Sequence, residues 1–420
     1  MTTHTGDDAP APAPQTTRSR LVLPLYATAE GLSFLGNAAV TVVLPWLVLA
    51  RTGDPAAAAL VAAASGTAQV AATAAVGPLV DRFGARRMAV LADVGSTASV
   101  GALALLDASS ALGLGAITAL AVAGAFFDLP GMTARQTLLP RVAARSGRSL
   151  ESAAGLRQAV FGLSFLAGPA LAGLLVAAIG PGRALWITAA CSALAALATL
   201  GVRVPDPEPD DAPAGLRGTW RTVRGLPVVV KLLGVAAASS LVSAPLLSVL
   251  LPAHFSGTGR PELLGFTSSA FAVGIVAGSA VFAVLVRVSR RAAWTASLVL
   301  VGAGLALLAT LQGFWLVAAG AVVVGVGSGL VNPVFGVVLA ERVPGSQLAR
   351  VTALANAVSL VAGPLGLGLA GAVVAGASLP VLAWGIVLAW VLIALLAGTG
   401  RSLRDLEPPA AGPSGQGAGA

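Results

Sequence analysis

Residues 77–87 read GPLVDRFGARR, and this charged segment separates two long apolar runs. Each run is long enough, at about 20 residues, to cross the ~30 Å hydrocarbon core of a membrane as a helix. The segment therefore predicts a helical hairpin whose turn lies at one membrane surface.

The residues of this turn each suit that position. Gly77 and Gly84 permit tight turns and close approach of helices. Asp81 can cap the amino end of a neighbouring helix and accept hydrogen bonds from arginine. Three basic residues would keep the turn in the cytoplasm and pair with anionic lipid: Arg82, Arg86 and Arg87. An ordinary basic membrane loop has the same properties.

The composition of the whole chain requires a lipid environment. Hydrophobic residues make up 56% of the 420 residues and charged residues 10%, and the mean hydropathy is +0.89. A soluble protein carries roughly 25% charged residues. The basic residues lie between apolar runs rather than on one patch, which argues against nucleic acid as a partner. Cys191 is the single cysteine, so an intramolecular disulfide and a multi-cysteine metal site are excluded.

Twelve apolar runs have the length of a membrane-spanning helix. Their predicted spans are 21–49, 56–80, 88–106, 111–132, 153–179, 184–202, 228–252, 263–286, 292–311, 314–338, 351–375 and 380–398. We therefore predict an all-α polytopic membrane protein.

The regions between and beyond these runs divide the chain into five parts. Residues 1–20 are rich in Pro, Ala and Thr and lack the basic start and apolar core of a cleavable signal, so they are predicted to be a disordered tail. Residues 21–202 and 228–398 each contain six predicted helices. Residues 203–227 form the longest connection, a predicted cytoplasmic linker, and residues 399–420 a second disordered tail.

The distribution of Lys and Arg predicts the orientation. Of the 25 basic residues, 22 fall in or near the connections on one side, among them Arg135 and Arg157, and three fall on the other, Arg51, Arg183 and Arg260. The basic side is the cytoplasmic side under the positive-inside rule. Both termini are therefore expected in the cytoplasm.

The two halves share a sequence echo. The segment from Leu138, LLPRVAARSGRSLESAAGLRQAVFGLSFLAGPALAG, resembles LAERVPGSQLARVTALANAVSLVAGPLGLGLAG from Leu339. Each contains an Arg-Val pair and a Gly-Pro pair, at Gly168-Pro169 and at Gly363-Pro364. Duplicated halves of this kind are typical of secondary transporters.

The turn at residues 77–87 resembles the signature G-x-L-x-D-R-x-G-x-R-R of the major facilitator superfamily, between its second and third helices. The segments SFLGNAAVTVVLPWLVLARTGDP from Ser33 and AFFDLPGMTARQTLLPRV from Ala125 resemble the siderophore, macrolide and drug efflux branch. The resemblance implies two pseudo-symmetric six-helix bundles.

The resemblance also implies that the turn latches the two halves in the outward-facing state, with Asp81 in that role. Ala85 stands where the family usually has arginine, so the charge relay toward helix four would use Arg86, with Asp128 as its acidic partner. The matching turn of the second half, VRVSRRAAW from Val286, has lost its acid and glycine, so one latch is expected.

Helix five contains a second family-like motif. Gly168, Pro169 and Gly173 resemble the core of a motif of drug/proton antiporters, with Ser164 and Ala172 in place of glycine. Proline bends the helix and glycine permits close packing. Gly and Pro are also common in membrane helices without any such role.

A polar stripe along helix one is the leading candidate for a transport site. Glu30, Ser33, Asn37 and Thr41 are spaced three and four residues apart, on one helical face with Phe34 beside them. We expect this stripe to line a central cavity and Glu30 to exchange a proton or pair with a cation. Alternatively, Glu30 lies near the inner interface and extends toward water. Asp93 is expected to be interfacial and structural.

Other helices offer weaker cavity candidates. Gln69 follows Ser65 on one face of helix two, Ser239 and Ser243 share a face of helix seven, and Asn332 precedes Pro333, where helix ten could break. Such side chains also bond neighbouring helix backbones. Predicted helix four, residues 111–132, contains no arginine, although the resemblance to proton-coupled exporters would place one there.

These features together predict a secondary transporter of the cytoplasmic membrane. It would export a small apolar or amphipathic compound, a drug, siderophore or secondary metabolite, by proton antiport and as a monomer. No nucleophile–base pair and no phosphate-binding loop is recognisable, so an enzyme is not expected, and no cofactor or metal is implied. An uptake permease or facilitator, and a transport-dead receptor or assembly protein, are the alternatives.

Overall fold

A computed structural model describes residues 19, 21–204, 223–224, 226–285, 289–343 and 345–398. The predicted tails, apart from residue 19, and most of the predicted linker lie outside these ranges. Twelve helices within them are long and apolar enough to cross a membrane. The predicted count and the all-α fold class are therefore confirmed.

The helices are numbered here in chain order. The N-terminal half contains α1 (Val22–Thr52), α2 (Pro55–Phe83), α3 (Ala85–Ala108), α4 (Leu114–Ser146), α5 (Leu150–Ile179) and α6 (Pro181–Gly201). The C-terminal half begins with α7, made of Pro227–Pro245, a π-helical turn Leu246–Leu250 and Leu251–Ser256. It continues with α8 (Pro261–Leu285), α9 (Arg290–Ala309), α10 (Phe314–Arg342), α11 (Gly345–Gly376) and α12 (Leu379–Gly398).

Helices are the necessary form for these runs because a lipid environment leaves no partner for an unpaired backbone group. Polar side chains cap the first turns of several of them. The side chain of Asp54 accepts a hydrogen bond from the Ala56 amide (2.8 Å) at the start of α2, and Ser149 accepts one from Ser152 (3.2 Å) at α5. Ser289 caps α9 in the same way through the Ala292 amide, at 3.2 Å.

Several helices extend beyond their predicted ends. α4 continues through Pro130 and Pro140 to Ser146, and α2 continues to Phe83, so that Gly84 alone separates α2 from α3. Gly84 has φ 79°, a left-handed value that favours glycine. α10 runs through Pro333 without interruption, so the expected break in helix ten is wrong.

The contacts between helices repeat in the two halves. In the first half α4 packs on α2 and α3, α6 packs on α1 and α3, and α5 packs on α1. In the second half α10 packs on α8 and α9, α12 packs on α7 and α9, and α11 packs on α7. Adding six to each helix number in the first half gives the helix contacts of the second half. The architecture therefore consists of two pseudo-symmetric six-helix bundles.

Two helix pairs form the largest contacts between the bundles, and they are related by the same symmetry. α5 packs against α8, and α2 packs against α11. The Gly-Pro pairs of the sequence echo lie in these interfaces: the backbone of Pro169 in α5 lies beside Gly265 of α8, and Pro364 in α11 packs on Gly66 of α2. Because the chain crosses twelve times, α1 begins and α12 ends on one side, called here the terminal face. The opposite side is called the distal face.

Candidate transport site

A cavity of about 710 Å³ lies between the two bundles. Its walls come from α1, α2, α3, α4 and α6 of the first half and from α7 and α11 of the second. Much of the lining is apolar, but side chains with hydroxyl, amide or carboxylate groups face it from every one of these helices. They are Asn37, Thr41, Ser65, Gln69, Ser96, Ser99, Asp128, Thr188, Ser192, Ser240, Ser243, Ser248, Asn356 and Ser359. A drug-sized ligand fits a cavity of this volume and character.

The resolved contacts between the halves lie toward the distal face. A Cβ atom on Gly173 of α5 would approach the Pro261 carbonyl oxygen of α8 to 2.7 Å, so only glycine permits this helix crossing. The Ala170 amide donates a hydrogen bond to Ser269 Oγ across the same interface, at 3.2 Å. On the other side of the cavity, Gly371 of α11 lies against Ala59 of α2, near the start of that helix. The cavity is thus closed by packed helices on its distal side.

The structure divides the predicted polar stripe of α1. Asn37 and Thr41 line the cavity, as does Gln69 of α2. Glu30, Ser33 and Phe34 do not line it, because they lie nearer the terminal face and are buried within the first bundle. The side chain of Asn332 lies outside the described part of the chain.

Glu30 and Ser33 instead belong to a buried charge network inside the first bundle. Its centre is Arg135 of α4, whose Nη1 lies 2.8 Å and 2.9 Å from the two carboxylate oxygens of Asp93 on α3. Arg135 Nη2 donates to Ser33 Oγ at 2.5 Å, and Ser33 Oγ donates to Asp93 at 3.2 Å. Arg135 is 3% exposed and Asp93 3% exposed, so neither side chain reaches water.

Glu30 connects this centre to α5. Its Oε1 lies 3.7 Å from Arg135 Nε and 3.4 Å from Arg157 Nε, and it accepts a hydrogen bond from the Tyr26 hydroxyl at 3.2 Å. The second oxygen, Oε2, is buried without a hydrogen-bond partner in the described structure. Arg157 also lies over the ring of Phe34, at 5.5 Å from its centroid. Two carboxylates and two guanidinium groups therefore balance each other, and of these four side chains Arg157 alone is partly exposed, at 15%.

This network was not predicted, and three expectations about its members were wrong. Arg135 was counted in the connection after predicted helix four, and Arg157 was counted among the basic residues of the cytoplasmic side, but both lie inside helices and pair with acids. Asp93 was placed near the interface, but it is buried about 12 Å from the start of α3, from a rise of 1.5 Å per residue. Glu30 lies at a similar depth and is 0% exposed, so it does not extend toward water. The longer α4 supplies the arginine that predicted helix four lacked.

The predicted latch is not assembled in this conformation. Asp81 and Arg82 form the last turn of α2, and Arg86 and Arg87 the first turn of α3. Asp81 is exposed and makes no ion pair or hydrogen bond with the part of the chain that the structure describes, and α3 has no side-chain cap. Arg86 donates to the Leu200 carbonyl at the end of α6. Gly77 lies within α2, with open space beside it.

Asp128 lies far from the latch rather than beside it. It is near the middle of α4, where its carboxylate accepts a hydrogen bond from Ser96 Oγ of α3 at 3.2 Å and faces the cavity. Ser96 is ten residues, or about 15 Å of helix, from Arg86. The expected pairing of Arg86 with Asp128 is therefore wrong for this conformation. The prediction failed because residues 133–146 extend α4 and move Asp128 away from its end.

The motif of α5 is divided between two contacts. Gly168 faces α1, where an added Cβ would approach that of Ala38 to 2.6 Å. Pro169 and Gly173 face α8 of the other bundle. The motif thus provides close helix packing on two sides of α5, once within its bundle and once between bundles.

Comparison with known proteins agrees with this architecture. The family model described as Major Facilitator Superfamily matches residues 26–260 and again residues 233–419. The chain belongs to the major facilitator superfamily. This family consists of transporters, so the protein is a membrane transporter and not an enzyme.

Curated relatives cover nearly the whole chain. The multidrug efflux pump Tap of Mycolicibacterium fortuitum is 32% identical over 403 residues, which is 93% of this chain and 98% of that protein. The multidrug efflux pump Tap of Mycobacterium tuberculosis (strain ATCC 25618 / H37Rv) is 32% identical over 404 residues, or 93% of this chain and 95% of that protein.

Solved structures share the fold at low sequence identity. The nucleoside transporter NupG aligns with a TM-score of 0.71 and 14% identity, covering 90% of this chain and 98% of that one. A bacterial homologue of the human lysosomal transporter Spinster, solved inward-facing and unoccupied, aligns with a TM-score of 0.70 and 15% identity, covering 93% and 98%.

Proposed function

We propose that this protein exports small apolar or amphipathic compounds across the cytoplasmic membrane by proton antiport. The observation that carries the proposal is the polar cavity between the two bundles, which packed helices close on its distal side. A cavity so placed can open to each side in turn when the bundles rock. The relatives named as multidrug efflux pumps support export rather than uptake.

The terminal face is proposed to be cytoplasmic. The basic turn between α2 and α3 and the ends of α4 and α10 lie on that face, and the positive-inside rule assigns such residues to the cytoplasm. When the buried Arg135 and Arg157 are left out of the count, 20 basic residues remain on the terminal side and three on the distal side. With this orientation the closed distal side faces outward, as in an inward-facing conformation, and an unassembled Asp81 agrees with a latch that forms in the outward-facing state.

The buried network is proposed to couple protons to this motion. Glu30 and Asp93 share Arg135, and Glu30 also contacts Arg157. A proton on one carboxylate removes a negative charge and leaves a guanidinium group under-compensated in a buried site, which is costly. The network would then rearrange. Its members lie on α1, α3, α4 and α5, so a rearrangement moves helices that line the cavity or join the bundles.

The protein is proposed to act as a monomer, because one chain contains both halves and the cavity between them. Arg82 and Arg87 are exposed at the terminal face and would pair with anionic lipid.

Inside-out membrane vesicles test the proposal. With an acidic lumen, the wild-type protein should accumulate a fluorescent amphipathic drug, and collapse of the pH gradient should release it. Glu30→Gln should abolish accumulation driven by the gradient. Glu151→Gln is the matched control, because Glu151 is exposed in the first turn of α5, outside the network.

Two results would contradict the proposal. Equilibration of the drug without regard to the pH gradient would indicate a facilitator. A Glu30→Gln variant that accumulates drug as well as the control would remove Glu30 from the coupling step.

A further inference from the structure

Asp128 is the one charged side chain among the described residues that line the cavity between the bundles. Its single side-chain hydrogen bond comes from Ser96 Oγ, at 3.2 Å, and no basic group within the described residues forms a salt bridge with it. Arg135 lies two turns further along α4, about 10 Å away by helical rise, and is held by Asp93. A half-buried carboxylate inside a membrane-spanning helix is costly when it has no counter-charge. A cationic ligand would supply the missing charge.

A second cavity extends from the first into the C-terminal bundle. It has a volume of about 330 Å³, and Ser240, Ser243, Asn356 and Ser359 line both cavities. Its deeper walls are formed by four aromatic side chains, Phe271, Trp294, Phe335 and Trp390.

The polar atoms of the two tryptophans are already engaged. Trp390 Nε1 donates to the Leu298 carbonyl at 3.0 Å, and Trp294 Nε1 donates to the Ala397 carbonyl at 3.4 Å. The indole groups therefore present mainly apolar surface to this side pocket. An apolar or aromatic group is its complementary occupant.

We propose that the transported compound is a cationic amphiphile that bridges the two halves. Its charged group pairs with Asp128 in the first bundle, and its apolar group enters the side pocket of the second. This inference rests on the proposed transport function and narrows it to a substrate class. A ligand bound in this way contacts both bundles, so its affinity depends on how the two bundles are positioned relative to each other.

Binding to the purified protein in lipid nanodiscs tests the charged contact. The probes are tetraphenylphosphonium, a permanent lipophilic cation, and neutral triphenylphosphine oxide. Asp128→Asn should weaken tetraphenylphosphonium binding at least about tenfold and leave triphenylphosphine oxide binding within about twofold. Asp54→Asn is the matched control, since it removes an exposed negative charge while asparagine still caps α2. Its affinities should equal those of the wild type.

The side pocket is tested with a filling substitution. Ala236→Phe places a ring among the pocket-lining residues and should weaken both probes by roughly tenfold or more. Ala303→Phe makes the same change at an exposed position of α9 outside both cavities and should have no effect. Unchanged affinity in Ala236→Phe would overturn the pocket assignment.

A measurement on the unmodified protein makes the test independent of variant folding. A hydrophobic carbodiimide should label Asp128, and saturating tetraphenylphosphonium should protect the peptide that contains it, as read by mass spectrometry. Equal labelling of Asp128 with and without tetraphenylphosphonium would overturn the proposal. An Asp128→Asn variant that binds tetraphenylphosphonium as tightly as the wild type would also overturn it.

The failure of this inference differs from failure of the transport function. Gradient-driven export of neutral drugs, with no tetraphenylphosphonium binding, would refute the proposed cationic substrate class and leave the transport function in place. Binding of the cation that depends on Asp128, without any transport, would refute the transport function and support the proposed binding site.

Discussion

Replacing Arg135 should lower the free energy of unfolding strongly, because Arg135 pairs with both acids of the buried network. It lies within 2.8 Å of Asp93 and 3.7 Å of Glu30, and it is 3% exposed, so solvent screens neither interaction. Two unit charges about 4 Å apart interact by roughly 4 kcal/mol at an effective dielectric constant of 20. Removing one partner of a buried pair typically costs about 3–5 kcal/mol. Arg135→Met keeps most of the stem volume and should lower the free energy of unfolding by this amount.

The assay is unfolding of the purified protein in mixed micelles by titration with SDS. Arg260→Met provides the control, because Arg260 pairs with Glu262 while 60% exposed, and a surface pair contributes about 0–1 kcal/mol. The double variant Arg135→Met/Asp93→Asn should cost about 1–3 kcal/mol less than the sum of its single variants, since it leaves no unpaired Asp93 charge. Strict additivity, or a loss in Arg135→Met no larger than in the control, would refute the claim that a buried charge balance stabilises this bundle.

Three further predictions follow from particular contacts. Asp81→Asn should change unfolding free energy by less than about 0.5 kcal/mol, because Asp81 has no partner in the described structure, yet it should slow drug export; equal rates would argue against the latch. Gly265→Val would place Cβ about 3.1 Å from Gly173 Cα and should keep the two bundles apart on the distal side. Cysteines introduced at Ala59 and Gly371, in a Cys191→Ser background, should then form a disulfide more slowly. Gly95→Ala would bring Cβ within 2.5 Å of the Phe127 ring and should cost about 1–3 kcal/mol in the same unfolding titration, whereas Gly101→Ala, with open space beside it, should not.

The fold was predictable because its determinants are local. Each membrane-spanning run is a continuous apolar segment, and the charges between runs mark the turns. The helix ends were less predictable, since the sequence changes from apolar to polar before the helix stops. α4 illustrates this: its chain becomes polar at Arg135, but the helix continues to Ser146.

The buried network was missed because its compensation is not local. Arg135 appears as a loop residue when considered alone, and its partners lie 42 and 105 positions away on α3 and α1. No spacing rule connects them. The central cavity was partly predictable, since Asn37, Thr41 and Gln69 lie on helical faces that carry other polar groups. The position of Asp128 depended on the length of α4, which the sequence left uncertain.

Proton movement in proteoliposomes tests the coupling proposal most directly. The purified protein is reconstituted with a pH-sensitive dye in the lumen, and an outward or inward gradient of an exported drug is imposed without any initial pH difference. For the wild type, protons should move opposite to the drug, and the direction should reverse with the drug gradient. Glu30→Gln should move no protons, while Glu151→Gln should behave like the wild type. Drug flux through the wild type without any proton movement would contradict antiport.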